Sequence, residues 1–318
     1  MQLIRGLYNL KNAPTLSKGC ALTIGNFDGV HCGHQQILLR LKQTAKQLNV
    51  PTVVMLFELH PREFFVKKLA KNGKNVTAPA RLMRLRDKLH YLKQEEIDFV
   101  LCIRFAQQFA SLQAEEFIDQ CLVEKLNVTY LSVGDDFRFG AERMGDFDTL
   151  KQAGKKYGFI VEDHQTYHFN HQRVSSTFIR KALQNDDLAL AERLLGKPYS
   201  IAGRIIHGKK LGRTIGFPTA NVMLDRFVVP IHGVYAVQVK LNDECLNGIA
   251  NVGNRPTVNG VNALLEVHIF NFNRTIYGQS IEVVFLKKIR SEIKFPSFND
   301  LKQQIQQDVE QVRAFFKL

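Results

Sequence analysis

The feature that most constrains this chain is a change of texture at Pro198. From Cys20 to about Asp163, short apolar runs ("ALTIGNF", "TVVMLF", "DFVLCI", "TYLSVG", "GFIVED") alternate with helix-period stretches beginning near Gly33, Ala80, Ala114 and Asp146. Such alternation calls for a doubly wound parallel sheet with right-handed crossovers, the Rossmann-like form of α/β architecture. After Pro198 the runs crowd together: "YSIAGRII", "FPTANVM", "GVYAVQVKL", "CLNGIANV", "ALLEVHIF", "IEVVFL". They are separated by Gly, Asn and Pro turns, which predicts a small antiparallel barrel. Between the two textures, "SSTFIRKALQNDDLALAERLLG" reads as helical and stops at Gly196, with Pro198 just beyond. A last helix carries Leu301, Ile305, Val309, Val312 and Phe316 on one face behind a capping-box "SFND". The expected domains are 1–186 and 187–318.

Bulk properties exclude several classes. With 318 residues, 45% of them hydrophobic, the chain can bury two cores. The start "MQLIRGLYNLKNAPTL" lacks the apolar core of a signal peptide, and no stretch reaches membrane-spanning length. Five cysteines without CxxC spacing fit reduced thiols. A cytoplasmic protein without a membrane role is expected. The net charge of +13 comes from dispersed basic residues, and no finger, knuckle or RNP-type motif accompanies them. That field serves ATP as well as it would serve nucleic acid, so no nucleic-acid partner is expected.

The stretch "GNFDGVHCGH", Gly25 to His34, joins the first apolar run to a helix whose apolar face holds Ile37, Leu38, Leu41, Ala45 and Leu48. A strand-to-helix turn of this kind lies at the carboxyl end of the sheet, where ligands bind. His31, Cys32 and His34 are all metal-ligand types, but no matching ligand group stands elsewhere, and "HQTYHFNH" (His164, His168, His171) reads as a polar loop. A structural histidine at the helix start is the plain alternative. The reading preferred here is phosphate chemistry: glycines admit an anion to the backbone, the helix N-terminus attracts it, and two imidazoles donate to it. Cys32, between the histidines, is a packed thiol on the simplest reading.

Together with "VGDDFRFG" and "VSSTFIR", this stretch resembles the nucleotide-binding motifs of the flavin adenylyltransferase module of the HxGH nucleotidyltransferases. "GRTIGFPTANV", "GVYAV", "GIANVGNRPTV" and "LEVHIF" resemble the riboflavin kinase module. Their order is that of the bifunctional bacterial riboflavin kinase/FAD synthetase family, from about residue 10 to the carboxyl terminus. The resemblance implies ATP-dependent phosphorylation of riboflavin to FMN in the second domain and adenylylation of FMN to FAD, with release of pyrophosphate, in the first. It implies His31 and His34 on the phosphates within a turn of Gly25, Asn26, Phe27 and Asp28, with Ser176, Thr177 and Arg180 on the triphosphate. Asp136 is a nucleotide contact on this reading and a turn-capping aspartate on the other.

In the kinase module the resemblance implies a phosphate-covering loop with Gly208, Lys209, Gly212 and Gly216. On the same resemblance Thr219 and Asn221 would hold Mg2+ as Mg-ATP, and Glu266 would be the base. "GRIIHGKK" nearly spells a P-loop, but Lys210 stands where a Ser or Thr is needed and no helix pattern follows. Alternation puts Leu264, Glu266 and His268 on one strand face and Leu265, Val267 and Ile269 on the other. An edge-strand glutamate in water is the plain reading of Glu266. Three positions depart from the family pattern: Leu59 stands where proline is common, Asn271 where aspartate is common, and Cys32 where a larger apolar residue is frequent. An HxGH adenylyltransferase acting on another phosphate compound is the nearest rival function.

Overall fold

The computed structural model describes residues 1–71, 76, 78–134, 136–164, 167–208, 216–224, 228–257 and 260–318. Contacts divide the chain into two compact units, Met1–Pro79 with Leu85–Ser175, and Ala80–Arg84 with Ser176–Leu318.

The first unit is a parallel six-stranded sheet. Its strands are β1 (Gln2–Arg5), β2 (Cys20–Ile24), β3 (Thr52–Glu58), β4 (Phe99–Arg104), β5 (Val128–Val133) and β6 (Ile160–Asp163), in the order β1-β4-β3-β2-β5-β6. Parallel strands are covered on both faces, so they read as unbroken apolar runs; every residue of β2 is buried. The chain leaves β2 toward β3 and β4, then returns to lay β5 and β6 on the other side. The switch point therefore lies at the carboxyl end of β2, where a crevice opens in such sheets.

Helix α1 (Cys32–Leu48) buries Leu38, Leu41 and Ala45 of the predicted face, half-buries Ile37 and leaves Leu48 at its carboxyl end exposed. Helix α6 (Phe147–Tyr157) starts on Asp146, whose side chain accepts from the Thr149 N–H, and ends on left-handed Gly158.

Several elements differ from expectation. Strand β1 pairs parallel with β4 at the sheet edge, and α2 (Pro61–Lys71) fills a stretch without a predicted element. Helix α3 (Leu85–Gln94) begins five residues after Ala80. Beyond α4 (Gln107–Ala110), α5 (Ala114–Glu116) runs on as a π-helix over Phe117–Lys125. "YHFNHQR" forms a two-stranded hairpin, β7 (His168–Phe169) with β8 (Gln172–Arg173).

The second unit opens with two helices, not one. Helix α7 (Ser176–Gln184) breaks at Asp186, whose φ of 61° no α-helix admits, and α8 (Leu188–Leu195) ends on left-handed Gly196. Six antiparallel strands then close a barrel: β9 (Ser200–Ile206), β10 (Ala220–Met223), β11 (Gly233–Leu241), β12 (Glu244–Thr257), β13 (Gly260–Ile269) and β14 (Ser280–Arg290). The order around it is β10-β13-β12-β11-β14-β9.

Val222, Val237, Val239, Leu265, Val267 and Val283 fill the interior. The terminal helix (Phe298–Phe316) is capped by Ser297, as "SFND" predicts, and packs Val309 and Val312 against Val234, Ala236, Ile249 and Phe270 on the outside of the barrel. Each fully buried valine there stabilises by about 1.5–3 kcal/mol.

Candidate active sites

In the first unit, β2 runs into the turn Gly25–His31 and then α1. Phe27 (φ 45°), Gly29 (φ 95°) and Val30 (φ 41°) all take left-handed backbone. For a β-branched valine this is a strained conformation that the surroundings must enforce. Phe27, Asp28 and His31 are buried, the Phe27 carbonyl accepts from the Val30 N–H, and the Asn26 carbonyl accepts from Lys88 Nζ at 2.7 Å. Asn26 Oδ1 is buried with no hydrogen-bond partner among the described residues, a cost that a ligand donor would remove.

His31 is the N-cap of α1, its Nδ1 accepting from the His34 N–H at 3.3 Å. The structural-histidine alternative is thus correct for one nitrogen. With Nδ1 committed as acceptor, the neutral ring carries its proton on Nε2, which is then its donor. The His34 ring stacks on His31 with centroids 3.6 Å apart and 18° between planes, and Phe27 backs it at 4.7 Å. A β-carbon on Gly33 would stand 3.2 Å from His31 Nδ1, which explains glycine there. Among the described residues, no group of three or more His, Cys, Asp or Glu side chains is arranged to hold a metal ion.

At the end of β5, Asp136 Oδ2 faces Arg173 NH1 at 3.4 Å. Oδ1 and His164 Nε2 lie 2.9 and 3.4 Å from where a β-carbon on Gly134 would be. His164 Nδ1 is 3.2 Å from Ser132 Oγ. His164 therefore belongs beside Asp136 and not to a featureless loop; "EDH" at the end of an apolar strand was the signal available. Leu59 has φ 60°, which proline's ring forbids, so this departure from the family pattern is dictated by the backbone. Nearby, Phe105 meets Phe57, Phe64, Phe65 and Phe109 with centroids 5.5–6.0 Å apart.

Ser176, Thr177 and Arg180 lie together on α7, in the other unit. Arg180 Nε donates to the Ala80 carbonyl, which fixes its guanidinium and ties 80–84 to this helix.

In the barrel, Asn221 of β10 pairs directly with Glu266 of β13, and Glu266 pairs in turn with Asn251 of β12. Strand β13 lies between two neighbours and Glu266 is half-buried, so the edge-strand reading is overturned. A β-carbon on Gly208 would collide with Asn221 Nδ2, so bare backbone lies against that amide. Gly216 takes φ 87°, and Thr219 is exposed just before Asn221. Lys209 and Gly212 lie outside the described residues.

Sequence reasoning gave His268 no role. Its Nδ1 is 2.8 Å from the Pro218 carbonyl and so donates to it, pinning the "PTAN" turn; burial pushes its pKa down, aided by the Arg313 charge. Gly203–Ile206 of the P-loop-like stretch belongs to β9, paired antiparallel with β10 and β14, unlike the parallel setting of a P-loop. Asn271 takes φ 53° and accepts from Arg313 NH2 at 3.4 Å.

The family model described as FAD synthetase matches residues 13–178, and that described as riboflavin kinase matches 195–316. A relative from Haemophilus influenzae, named bifunctional riboflavin kinase/FMN adenylyltransferase, is 59% identical over 99% of both chains. The chain belongs to the bifunctional riboflavin kinase/FMN adenylyltransferase family. Members from Escherichia coli K12 and Pseudomonas fluorescens, named alike, are 52% and 50% identical over 100% and 99% of this chain, and 99% and 97% of their own.

A crystal structure described as a macrolide-efflux protein from Streptococcus pneumoniae superposes with a TM-score of 0.77 at 30% identity, covering 98% of this chain and 99% of that one. Its fold is shared; the activity in its description is not carried over. Among the described residues, no helix is long and apolar enough to cross a membrane. In this family the parallel-sheet unit corresponds to the adenylyltransferase and the barrel to the kinase.

Proposed function

We propose that the Gly25–His34 turn carries FMN adenylylation and that Glu266 is the base of riboflavin phosphorylation. Family membership supplies the two reactions. Riboflavin and ATP give FMN and ADP; FMN and a second ATP give FAD and pyrophosphate. The observation that supports the kinase assignment is the direct pairing of Asn221 with Glu266, two residues side by side on one face.

In adenylyl transfer an FMN phosphate oxygen attacks the α-phosphorus of ATP, and the bond to the β-phosphate oxygen breaks. Such chemistry needs positioning and charge stabilisation more than covalent help. His31 through Nε2, and His34 beside it, donate to the phosphates, while Asp136 contacts the nucleotide. Ser176, Thr177 and the permanent cation of Arg180 bind the triphosphate. The Phe105-centred cluster offers an aromatic wall suited to a planar flavin ring.

In the kinase, Glu266 accepts the proton of the riboflavin 5′-hydroxyl as its oxygen attacks the γ-phosphorus. The oxygens of Thr219 and Asn221 suit magnesium, which takes its other ligands from water and phosphate; when bound, it neutralises phosphate charge. Gly208 belongs to the phosphate-covering loop, its bare backbone lying against the Asn221 amide. ATP as co-substrate of both reactions supports a cytoplasmic location, and small anionic substrates account for the +13 charge without nucleic acid.

The test is to incubate the protein with riboflavin and Mg-ATP and to separate the flavins by chromatography. FMN should appear first and FAD after it. FMN that accumulates with no FAD, while another phosphate compound is adenylylated, would favour the rival reading.

A further inference from the structure

Between α7 and α8 the chain turns on Asn185, Asp186 and Asp187, and the two aspartates do different things. Asp187 is the N-cap of α8, its side chain accepting from the Leu190 N–H at 2.9 Å. Asp186 turns the corner itself. Its φ of 61° is free for glycine and strained for an aspartate, so a side chain there calls for a contact that offsets the strain.

That contact is with the barrel. Asp186 Oδ1 accepts from Tyr235 OH at 3.1 Å, and Oδ2 accepts from Lys288 Nζ at 2.6 Å. Tyr235 of β11 and Lys288 of β14 are directly paired, so register sets two donors side by side to meet one carboxylate. Tyr235 is fully buried, and Asp186 and Lys288 are half-buried. A charge-assisted contact with two donors on neighbouring strands fixes direction as well as distance.

What the contact holds is α7. This helix buries Ile179, Ala182 and Leu183 and packs against α8, which packs in turn against β14. Apolar packing alone leaves the angle between two helices open to about 15–20°. Nine residues of α-helix span about 13 Å, so a tilt of about 10° at Asp186 swings the first turn of α7 by about 2 Å. Ser176 and Thr177 stand in that turn, with Arg180 next along the helix. Misplacing such a group by about 1 Å can cost roughly a hundredfold in rate. The Arg180–Ala80 hydrogen bond is made through a long side chain that can follow a tilt, whereas Asp186 is part of the corner.

We propose that Asp186 is a positioning residue for adenylyl transfer. By fastening the α7–α8 corner to β11 and β14, it sets the place of Ser176, Thr177 and Arg180 for the ATP triphosphate. The barrel unit is thereby the scaffold of a helix that serves the other reaction. This rests on the assignment of those three residues to the triphosphate.

The experiment uses the full chain. Asp186→Gly keeps the left-handed backbone and removes the carboxylate, Lys288→Met removes the cation from the barrel side, and Asp186→Asn keeps an oxygen acceptor. FAD synthesis from supplied FMN gives kcat and the KM values for ATP and FMN, and riboflavin phosphorylation by the same preparations reports on the barrel. Asp186→Gly should lower kcat/KM for ATP in FAD synthesis by roughly ten- to a hundredfold. The KM for FMN and the riboflavin kinase kcat should stay within about threefold. Lys288→Met should give a smaller loss in the same direction. The double variant of Asp186→Gly with Lys288→Met should lose no more than Asp186→Gly alone, because both act through one contact. Asp186→Asn should recover most of the loss.

Normal FAD-synthesis constants in Asp186→Gly overturn the proposal, even with a lowered melting temperature, which marks a purely structural anchor. So does a parallel loss of both reactions, a loss in Asp186→Asn equal to that in Asp186→Gly, or additive losses in the double variant. Arg180→Gln, run alongside, separates the two claims. If its KM for ATP is unchanged, the triphosphate assignment falls and this proposal with it; if that KM rises while Asp186→Gly is normal, only this proposal falls.

Discussion

Removing the Asp308 carboxylate should loosen the terminal helix on the barrel. Asp308 is 3% exposed and accepts from Arg290 Nε at 3.0 and 2.9 Å, from Arg290 NH2 at 2.8 Å and from Gln304 Nε2 at 2.9 Å. Arg290 ends β14, so this pair fastens the helix at the point where the chain leaves the barrel. Asp308→Ala strands a guanidinium in a low-dielectric site, and breaking one partner of such a pair costs about 3–5 kcal/mol. Val309 and Val312 still hold the helix, so the effect should be local opening and not global unfolding. At about 1.4 kcal/mol per tenfold, amide hydrogen exchange across the helix should accelerate by roughly two to four orders of magnitude. Replacing both partners, Asp308→Leu with Arg290→Met, should restore most of the protection, because an apolar pair of similar volume carries no desolvation cost. Kinase turnover should fall in the single variant, since the helix covers the face that bears Glu266, and adenylylation of supplied FMN should not. Less than a tenfold change in exchange for Asp308→Ala would refute this reasoning.

Two further outcomes are expected. The folded-state pKa of His268 is depressed, so the unfolded chain binds its proton first as pH falls, and stability should be lost from about pH 6.5 downward through the lowered folded value; His268→Gln should flatten that part of a denaturation-versus-pH profile. Residues 187–318 expressed alone should phosphorylate riboflavin and make no FAD, whereas a fragment from Ser176 should be more stable by about 1–3 kcal/mol in urea, because it keeps Asp186, which accepts from Tyr235 OH at 3.1 Å and Lys288 Nζ at 2.6 Å.

Much of this was legible because local signals agreed with the global answer. "CALTI" and the face of α1 announce themselves through burial and period, and Gly196 and Ser297 through capping chemistry. What escaped depends on partners far along the chain. Gln2–Arg5 is too short to show a pattern and is a strand only because β4, almost a hundred residues later, offers an edge. Among its described side chains "PREFFVKKLAK" has no buried residue, so its helical face is weakly marked. The break between α7 and α8 rests on one left-handed aspartate inside a run of helix-period residues. In the sites, the turn glycines and paired histidines carry their chemistry within a few residues. His164 and His268 acquire meaning only through register and contact, which no single stretch of sequence displays.

The central claim is that two chemistries occupy two separate sets of residues in one chain. The most direct measurement gives each variant both reactions: riboflavin with Mg-ATP, and FMN with Mg-ATP, with FMN and FAD quantified by chromatography. His34→Ala should cut FAD formation by about a hundredfold or more, the loss of a transition-state donor, while FMN formation continues. Glu266→Gln should lower FMN formation by roughly two to four orders of magnitude while FAD formation from supplied FMN stays near normal. Parallel loss of both reactions in either variant, or near-normal kinase turnover in Glu266→Gln, would contradict the account.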